Sequence, residues 1–136
     1  MAHFLAKTDP ETYSVEMLAK ERKTFWDGVT NPQAVKNIRG MRPGDKVFIY
    51  HSGGQSAVVG LAKIVSEPRP DPKNSKSAGA DFEFIGRLDP PTTLLEIKQS
   101  GLFNDWALVR QGRLSTMPAP EPFVEWMRKR YPKAKI

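Results

Sequence analysis

The sequence predicts an α+β fold: a mixed, mostly antiparallel β-sheet with short flanking helices, its strands numerous and close enough for a small, partly closed β-barrel. Three observations carry this reading. Lys46 to His51 (KVFIYH) and Ala57 to Ser66 (AVVGLAKIVS) are apolar β-type runs joined by the short turn Ser52-Gly53-Gly54-Gln55. Phe82, Phe84 and Leu88 alternate with Glu83 and Arg87, the period of a half-buried strand. The helical segments are short and do not fall between successive strands, as a doubly wound parallel sheet would require.

In chain order, His3 to Lys7 (HFLAK) reads as a short first strand, broken by Thr8-Asp9-Pro10. Ser14 is placed to cap a short helix, with Val15, Leu18 and Ala19 at apolar spacing and Glu16 in the first turn. Phe25 to Thr30 reads as a loop. Asn31-Pro32 opens a second helix, Asn as cap and Pro at the first helical position, with Ala34, Val35, Ile38 and Met41 as its buried stripe. Arg42-Pro43-Gly44-Asp45 is the turn into the Lys46 strand. Gly60 inside the next strand marks a bulge or a close backbone approach. Glu67 to Ala80, with three prolines, reads as a surface loop, and Pro90-Pro91 as the end of the third strand. Leu94 to Gln99 is a short helix and Arg113 to Met117 a last strand. Pro122 to Tyr131 is an amphipathic C-terminal helix with Phe123, Trp126, Met127 and Tyr131 on one side.

At 136 residues the chain has the length of one ordinary domain, and it shows no internal repeat. It holds no cysteine, so disulfides, thiolate metal sites and cysteine nucleophiles are excluded. Two histidines leave little for a metal centre, and no metal or cofactor is expected. Apolar runs are too short to span a membrane, and no signal peptide is read. The expectation is a cytoplasmic, monomeric domain.

The net charge is +6, with 21 basic and 15 acidic residues. Five of the basic residues (Arg128, Lys129, Arg130, Lys133 and Lys135) sit among the last nine positions, leaving 16 against 15 elsewhere. That tail reads either as a solvated helix end or as a phosphate-binding surface. A second basic segment holds Lys20, Arg22, Lys23, Lys36, Arg39 and Arg42 together with Phe25 and Trp26. Charge mixed with aromatics is the pattern of nucleic-acid contacts.

No nucleophile elbow, P-loop, dinucleotide fingerprint or zinc-protease motif is present, and no catalytic site is expected. Three segments stand out by side-chain type: Trp26 to Asn31, Tyr50-His51-Ser52, and Arg113-Leu114-Ser115. An aromatic face, hydroxyls, an imidazole and an amide are what a pocket needs to stack a planar base and read its edge. On this reading Trp26 presents an exposed face beside Gly28, and His51 borders the pocket. Each residue has a plain structural alternative: Trp26 in the core, Asn31 as a helix cap, His51 as a solvated strand end, Arg113 in a surface ion pair.

Taken together, and in order, these segments resemble the EVE domain family, the PUA-like group that includes the thymocyte nuclear proteins. The resemblance rests on Lys7-Thr8-Asp9-Pro10 and Tyr13-Ser14, then Trp26, Gly28, Val29 and Asn31 with Ala34 and Arg39. It continues through Gly44-Asp45 and Tyr50-His51-Ser52, then Val59, Gly60 and Ala62, and ends on Leu108-Val109-Arg110 and Arg113-Leu114-Ser115. Thr8-Asp9 replaces the family's Ser-Glu, and the Glu67 to Ala80 segment lacks an aromatic, Pro-rich insert.

The resemblance implies a PUA-like barrel related to YTH domains, and a non-catalytic reader of modified bases in DNA or RNA. It implies a pocket built from Lys7, Thr8, Trp26, Gly28, Val29, Asn31, Tyr50, His51 and Ser52, with Arg113, Leu114 and Ser115 close by. Phosphates would be held by Lys20, Arg22, Lys23, Lys36, Arg39, Arg128, Lys129 and Arg130. The alternatives are a small amidohydrolase-like enzyme acting on a modified nucleoside, with Lys7 and Asp9 as base and acid, and a small-molecule or protein-interaction domain.

Overall fold

Residues His3–Thr8 form strand β1, whose consecutive apolar residues Phe4, Leu5 and Ala6 are buried on both faces, as a strand in the sheet interior requires. It pairs in parallel with β3 (Lys46–His51), His3 opposite Lys46 and Thr8 opposite His51. β3 turns through Ser52 to Ser56 into antiparallel β4 (Ala57–Ile64). β4 pairs with β6 (Asn74–Thr93), which at its start also carries the short strand β5 (Arg69–Asp71) and, further on, β2 (Lys23–Trp26). The last strand, β7 (Thr116–Pro118), lies antiparallel on the free edge of β1. The computed structural model describes all residues, 1–136.

The spatial order β2-β6-β4-β3-β1-β7 confirms a mixed, mostly antiparallel sheet and corrects one expectation: it does not close into a barrel. Its end strands, β2 and β7, are four and three residues long, and β7 ends in Pro118. Short ends and a proline leave little ladder for closure.

Helix α1 (Val15–Glu21) is capped by Ser14, whose hydroxyl accepts from Met17 N. Helix α2 (Pro32–Arg39) is capped by Asn31, whose Oδ1 accepts from Gln33 N at 2.9 Å and Ala34 N at 3.2 Å. Its Ala34, Val35 and Ile38 are buried, and Asn37 Nδ2 donates to Thr116 O, fastening α2 to β7. Helix α3 (Leu94–Ser100) starts on a capping box between Thr93 and Glu96. Helix α4 (Ala107–Arg110) is a single turn. Helix α5 (Glu121–Arg130) buries Phe123 against Phe48, Phe103 and Trp106. No helix is long and apolar enough to cross a membrane.

Three local expectations are corrected. The segment read as the surface loop Glu67 to Ala80 is the β5–β6 hairpin. β6 does not stop at Pro90-Pro91: its ladder with β4 skips from Arg87 to Thr92, so both prolines lie in a stretch where β4 needs no N–H. The Phe25-Trp26 part of the expected loop belongs to β2. Gly60 fulfils both roles read from the sequence. The β4 register shifts beside it, and a Cβ there would lie 2.6 Å from Val15 Cγ2, so α1 can approach only over a glycine.

The basic C-terminus is folded down rather than frayed. Ile136 is buried, Arg128 Nε donates to Ile136 O, and Lys46 Nζ donates to Lys135 O. Arg128 pairs with Glu121 and Glu125, and Arg130 with Glu96 at 2.7 Å.

Candidate functional site

The Thr8 end of β1 opens onto a cleft of about 570 Å³, within the ordinary range for ligand sites of roughly 300–1,000 Å³. Its floor and one side are Lys7 and Thr8 at the end of β1 and Asp9, Thr12 and Tyr13 in the turn that follows. The other side is Thr24, Phe25 and Trp26 of β2, continued by Asp27 to Asn31 into the α2 cap. Arg113 and Ser115, leading into β7, complete the rim.

The aromatic side is half core and half wall. Trp26 is only 7% exposed: its ring stacks on Phe82 at 4.9 Å and meets the Tyr13 ring edge-on at 6.0 Å. The expected exposed face is therefore corrected to an indole that is anchored in the core and shows the cleft a small part of its surface. The Tyr13 hydroxyl donates to Glu21, and burial followed by that bond pushes its pKa up to about 12. Thr8 Oγ1 donates to Tyr13 O at 2.7 Å, which ties the turn to β1.

Lys7 is the cationic feature of the floor. Its Nζ donates to Gly112 O at 3.0 Å and lies 5.5 Å from the Tyr50 ring centroid, and no carboxylate reaches it. Burial lowers its pKa below the ordinary lysine value. With one ammonium hydrogen engaged, others remain to donate into the cleft. Asn31 uses its side-chain oxygen as the α2 cap, so its amide nitrogen is the group left for a ligand. The carboxylates of Asp9 and Asp27 add acceptors, and Thr30, Ser115 and Arg113 further donors.

Of the residues predicted for the site, the cleft brings together Lys7, Thr8, Trp26, Gly28, Val29, Asn31, Arg113 and Ser115. It does not include Tyr50, His51, Ser52 or Leu114. Tyr50 is buried under Lys7. His51 Nε2 accepts from Val15 N at 3.0 Å, so it holds the start of α1, and burial keeps its pKa below the ordinary value against the opposing pull of Glu16. Ser52 gives its backbone N–H to Thr8 O, and Leu114 is in the core. Sequence reasoning left Thr12, Tyr13, Thr24 and Phe25 out of the pocket, and took in Asp27 and Thr30 only as part of the Trp26 to Asn31 segment. For Thr24 and Phe25 the signal was the edge strand Lys23–Trp26, hidden where Phe25 and Trp26 were read as loop.

The wall is braced from behind by the β5–β6 hairpin. Gly28 N donates to Asp71 Oδ2 at 3.3 Å, and Ser77 Oγ donates to Val29 O. Arg69 lies 4.3 Å over the Phe25 ring, and a Cβ on Gly79 would sit 2.3 Å from Trp26 O, so only glycine admits β2 there.

The predicted phosphate residues scatter. Arg22 ends α1 and packs over Phe84, while Lys20 and Lys23 are exposed beside it. Lys36 and Arg39 are exposed on α2. Arg128, Lys129 and Arg130 are on α5, where Arg128 lies close enough to lower the pKa of His3, at the opposite end of β1 from the cleft.

A mixed sheet with a polar, aromatic-backed cleft at one end, braced by its own hairpin, defines a small-domain binding scaffold. The sequence profile of the EVE domain matches residues 2–130, and the chain belongs to the EVE domain family. Thymocyte nuclear protein 1 of Homo sapiens is 33% identical over 102 residues, covering 66% of this chain and 45% of that protein. Its counterpart in Rattus norvegicus is 41% identical over 101 residues, covering 65% and 45%. The chain thus spans less than half the length of these two relatives. Among solved structures, human THYN1 in complex with DNA containing 5-methylcytosine superposes with a TM-score of 0.87 at 25% identity, over 95% of this chain and 96% of that one. A hypothetical protein of Leishmania major gives 0.86 at 29% identity over 98% of both chains.

Proposed function

We propose that this domain binds nucleic acid by taking one modified base into the Lys7–Trp26–Asn31 cleft, with a modified cytosine in DNA as the first candidate. One observation carries the reading: β1, β2, the α2 cap and the Arg113-Leu114-Ser115 segment, distant in sequence, converge on a single cleft with an aromatic side and donors and acceptors around it. A base edge needs both kinds of partner. The exocyclic amine of cytosine is a donor suited to a carboxylate, here Asp27 or Asp9, and its ring acceptors suit the Asn31 amide or Lys7. The likeness to human THYN1 in complex with 5-methylcytosine DNA supports cytosine as the base. Entry of the base requires that it leave the stack, at a cost of a few kcal/mol.

The test is equilibrium binding of matched duplexes and single strands carrying cytosine, 5-methylcytosine or an oxidised 5-methylcytosine at one position. The reading expects a preference for at least one modified form that Asn31→Ala reduces. Equal binding of every form by the wild type would overturn it.

A second reading is favoured by one feature, the burial-lowered Lys7 lining the same cleft as Asp9. A lysine of this kind can act as a base, so hydrolysis of an acylated nucleoside is the reaction to look for. Product release from such a substrate, lost in Lys7→Met, would favour it over binding alone.

A further inference from the structure

Behind the cleft wall lies a second feature, which the sequence reading assigned to a surface loop. The tip of the β5–β6 hairpin, Pro72 to Lys76, is exposed throughout and carries Lys73 and Lys76. Neither lysine has a carboxylate within salt-bridge distance, in contrast with Arg42, Lys63, Arg69, Arg87, Arg110, Arg128 and Arg130, each of which has. The acid at the base of the tip, Asp71, is buried, and its two oxygens accept from Gly28 N and Lys73 N. It therefore braces the hairpin through backbone N–H groups and forms no ion pair with either lysine. Asn74 Oδ1 accepts from Lys76 N at 3.1 Å, so the tip is a bonded turn rather than a loose loop.

The tip is registered against the cleft. Gly28 and Val29, which line the cleft on one side, are held on the other by Asp71 and Ser77 of the hairpin. Between wall and tip runs a groove of about 220 Å³ lined by Gly28, Thr30, Lys73 and Asn74 together with two carboxylates, Asp27 and Asp71. Lys7 and Arg113 stand on the cleft side of that wall. Basic groups without a carboxylate partner thus flank the wall on both sides.

We propose that the β5–β6 tip is a phosphate-contacting finger, Lys73 and Lys76 gripping the backbone of the strand whose base occupies the cleft. The inference rests on the base-binding reading of the cleft and names the backbone surface that goes with it. Phosphate contacts set register and carry no sequence information, so the finger contributes affinity and salt dependence but not choice of base.

The experiment measures binding of a duplex with and without one 5-methylcytosine over a range of salt, for the wild type, Lys73→Ala/Lys76→Ala, and a control with the same charge change, Lys98→Ala/Lys133→Ala. Both pairs are exposed, and melting temperatures confirm that the variants fold. Each lost phosphate contact removes about 0.9 from the log–log salt slope on duplex DNA. The hairpin variant is expected to lose about 1.8, from two such contacts, with its preference between the two duplexes unchanged, while the control keeps the wild-type slope. A hairpin slope equal to the wild type, or an equal fall in the control, overturns the finger. A finger-specific slope change with no preference between duplexes would leave the finger standing and overturn the base-reading. No binding by the wild type overturns both.

Discussion

The two ends of β1 are both basic, and the fold treats them differently. At the His3 end, Lys46, Arg128 and Lys135 gather around the folded C-terminus, where Lys46 Nζ meets Lys135 O and Arg128 meets Ile136 O and two glutamates. At the Thr8 end, roughly 16 Å away for a six-residue strand, Lys7 meets a single carbonyl and Arg113 no acid, and an open cleft lies between them. One end uses its cations to close the structure and the other leaves them available. Net charge says nothing about which is which. Ion-pair partners, and the depth of the space beside them, separate the two.

The largest expected effect is on the joint between cleft and core. Trp26→Ala removes a ring that is stacked on Phe82 and almost wholly buried. It should cost about 3–5 kcal/mol of stability in a urea titration, together with the binding activity. Trp26→Phe keeps a ring over Phe82 and should recover most of the stability. Wild-type stability in Trp26→Ala would mean that wall and core are independent. Next comes the charge on the cleft floor. Lys7→Met keeps the stem over Tyr50 and removes the ammonium. The loss of a charged hydrogen bond, about 1.5–3 kcal/mol, is roughly 10- to 150-fold in Kd for a modified duplex, read by fluorescence anisotropy. Lys46→Met at the other end should change Kd less than about twofold, since that contact closes the tail. Equal effects at the two ends would erase the distinction.

Much of the fold was legible because local chemistry and tertiary packing agreed. Ser14 and Asn31 cap the helices they were read to cap, Ala34, Val35 and Ile38 are buried as spaced, and β3 has the bounds its apolar run gave it. The hairpin at Arg69 to Ala80 was illegible because prolines and polar residues dominate it. Its order comes from Asp71 and Ser77 bonding to Gly28 and Val29, over 40 residues away. The Arg113-Leu114-Ser115 segment and the Trp26 to Asn31 wall were read together from the sequence and reach one cleft through Arg113, Ser115 and the wall residues, but His51 was not separable from them by sequence. Tyr50 to Ser52 pairs beside Thr8 in the β1–β3 ladder, one strand from the cleft, while the imidazole turns to the α1 N-terminus. Proximity along the sheet was readable there, and side-chain direction was not.

A matched pair of aspartates makes the two ends directly comparable. Asp71 accepts from Gly28 N and Lys73 N behind the cleft wall, and Asp45 accepts from Ala2 N and Arg42 N at the His3 end. Both are buried. Replacing either with Ala strands two backbone donors, so each should lose about 1–3 kcal/mol of stability by denaturant titration. Only Asp71→Ala should also weaken binding, because Gly28 belongs to the wall. Weakening of the same size in Asp45→Ala would show that affinity follows overall stability instead of wall position.

The smallest effect expected distinguishes the two histidines, one at each end. Burial holds both imidazoles below the ordinary value. At His3 the charges of Arg128 and Lys46 push the same way and Asp45 opposes them, whereas at His51 only Glu16 acts, and it opposes. In both, the folded state favours the neutral ring. As pH falls below about 6.5 the unfolded chain takes up protons first. The contribution of each histidine to stability is therefore fully present above about pH 6.5 and is lost as pH falls through the depressed folded value. His3 should carry the larger share, since it lies among cations and its buried Nε2 has no partner that would accept a proton. His3→Phe, which can pack on Phe48 as the imidazole does, should flatten the fall in melting temperature between about pH 7.5 and 5.5 more than His51→Gln. Gln at position 51 can still accept from Val15 N, so that variant should keep its stability near neutral pH. Neither should alter how binding responds to pH, because neither ring lines the cleft. A pH-dependent affinity that disappears in His51→Gln would place that imidazole at the ligand after all, and would move the boundary of the site one strand inward from β1 to β3.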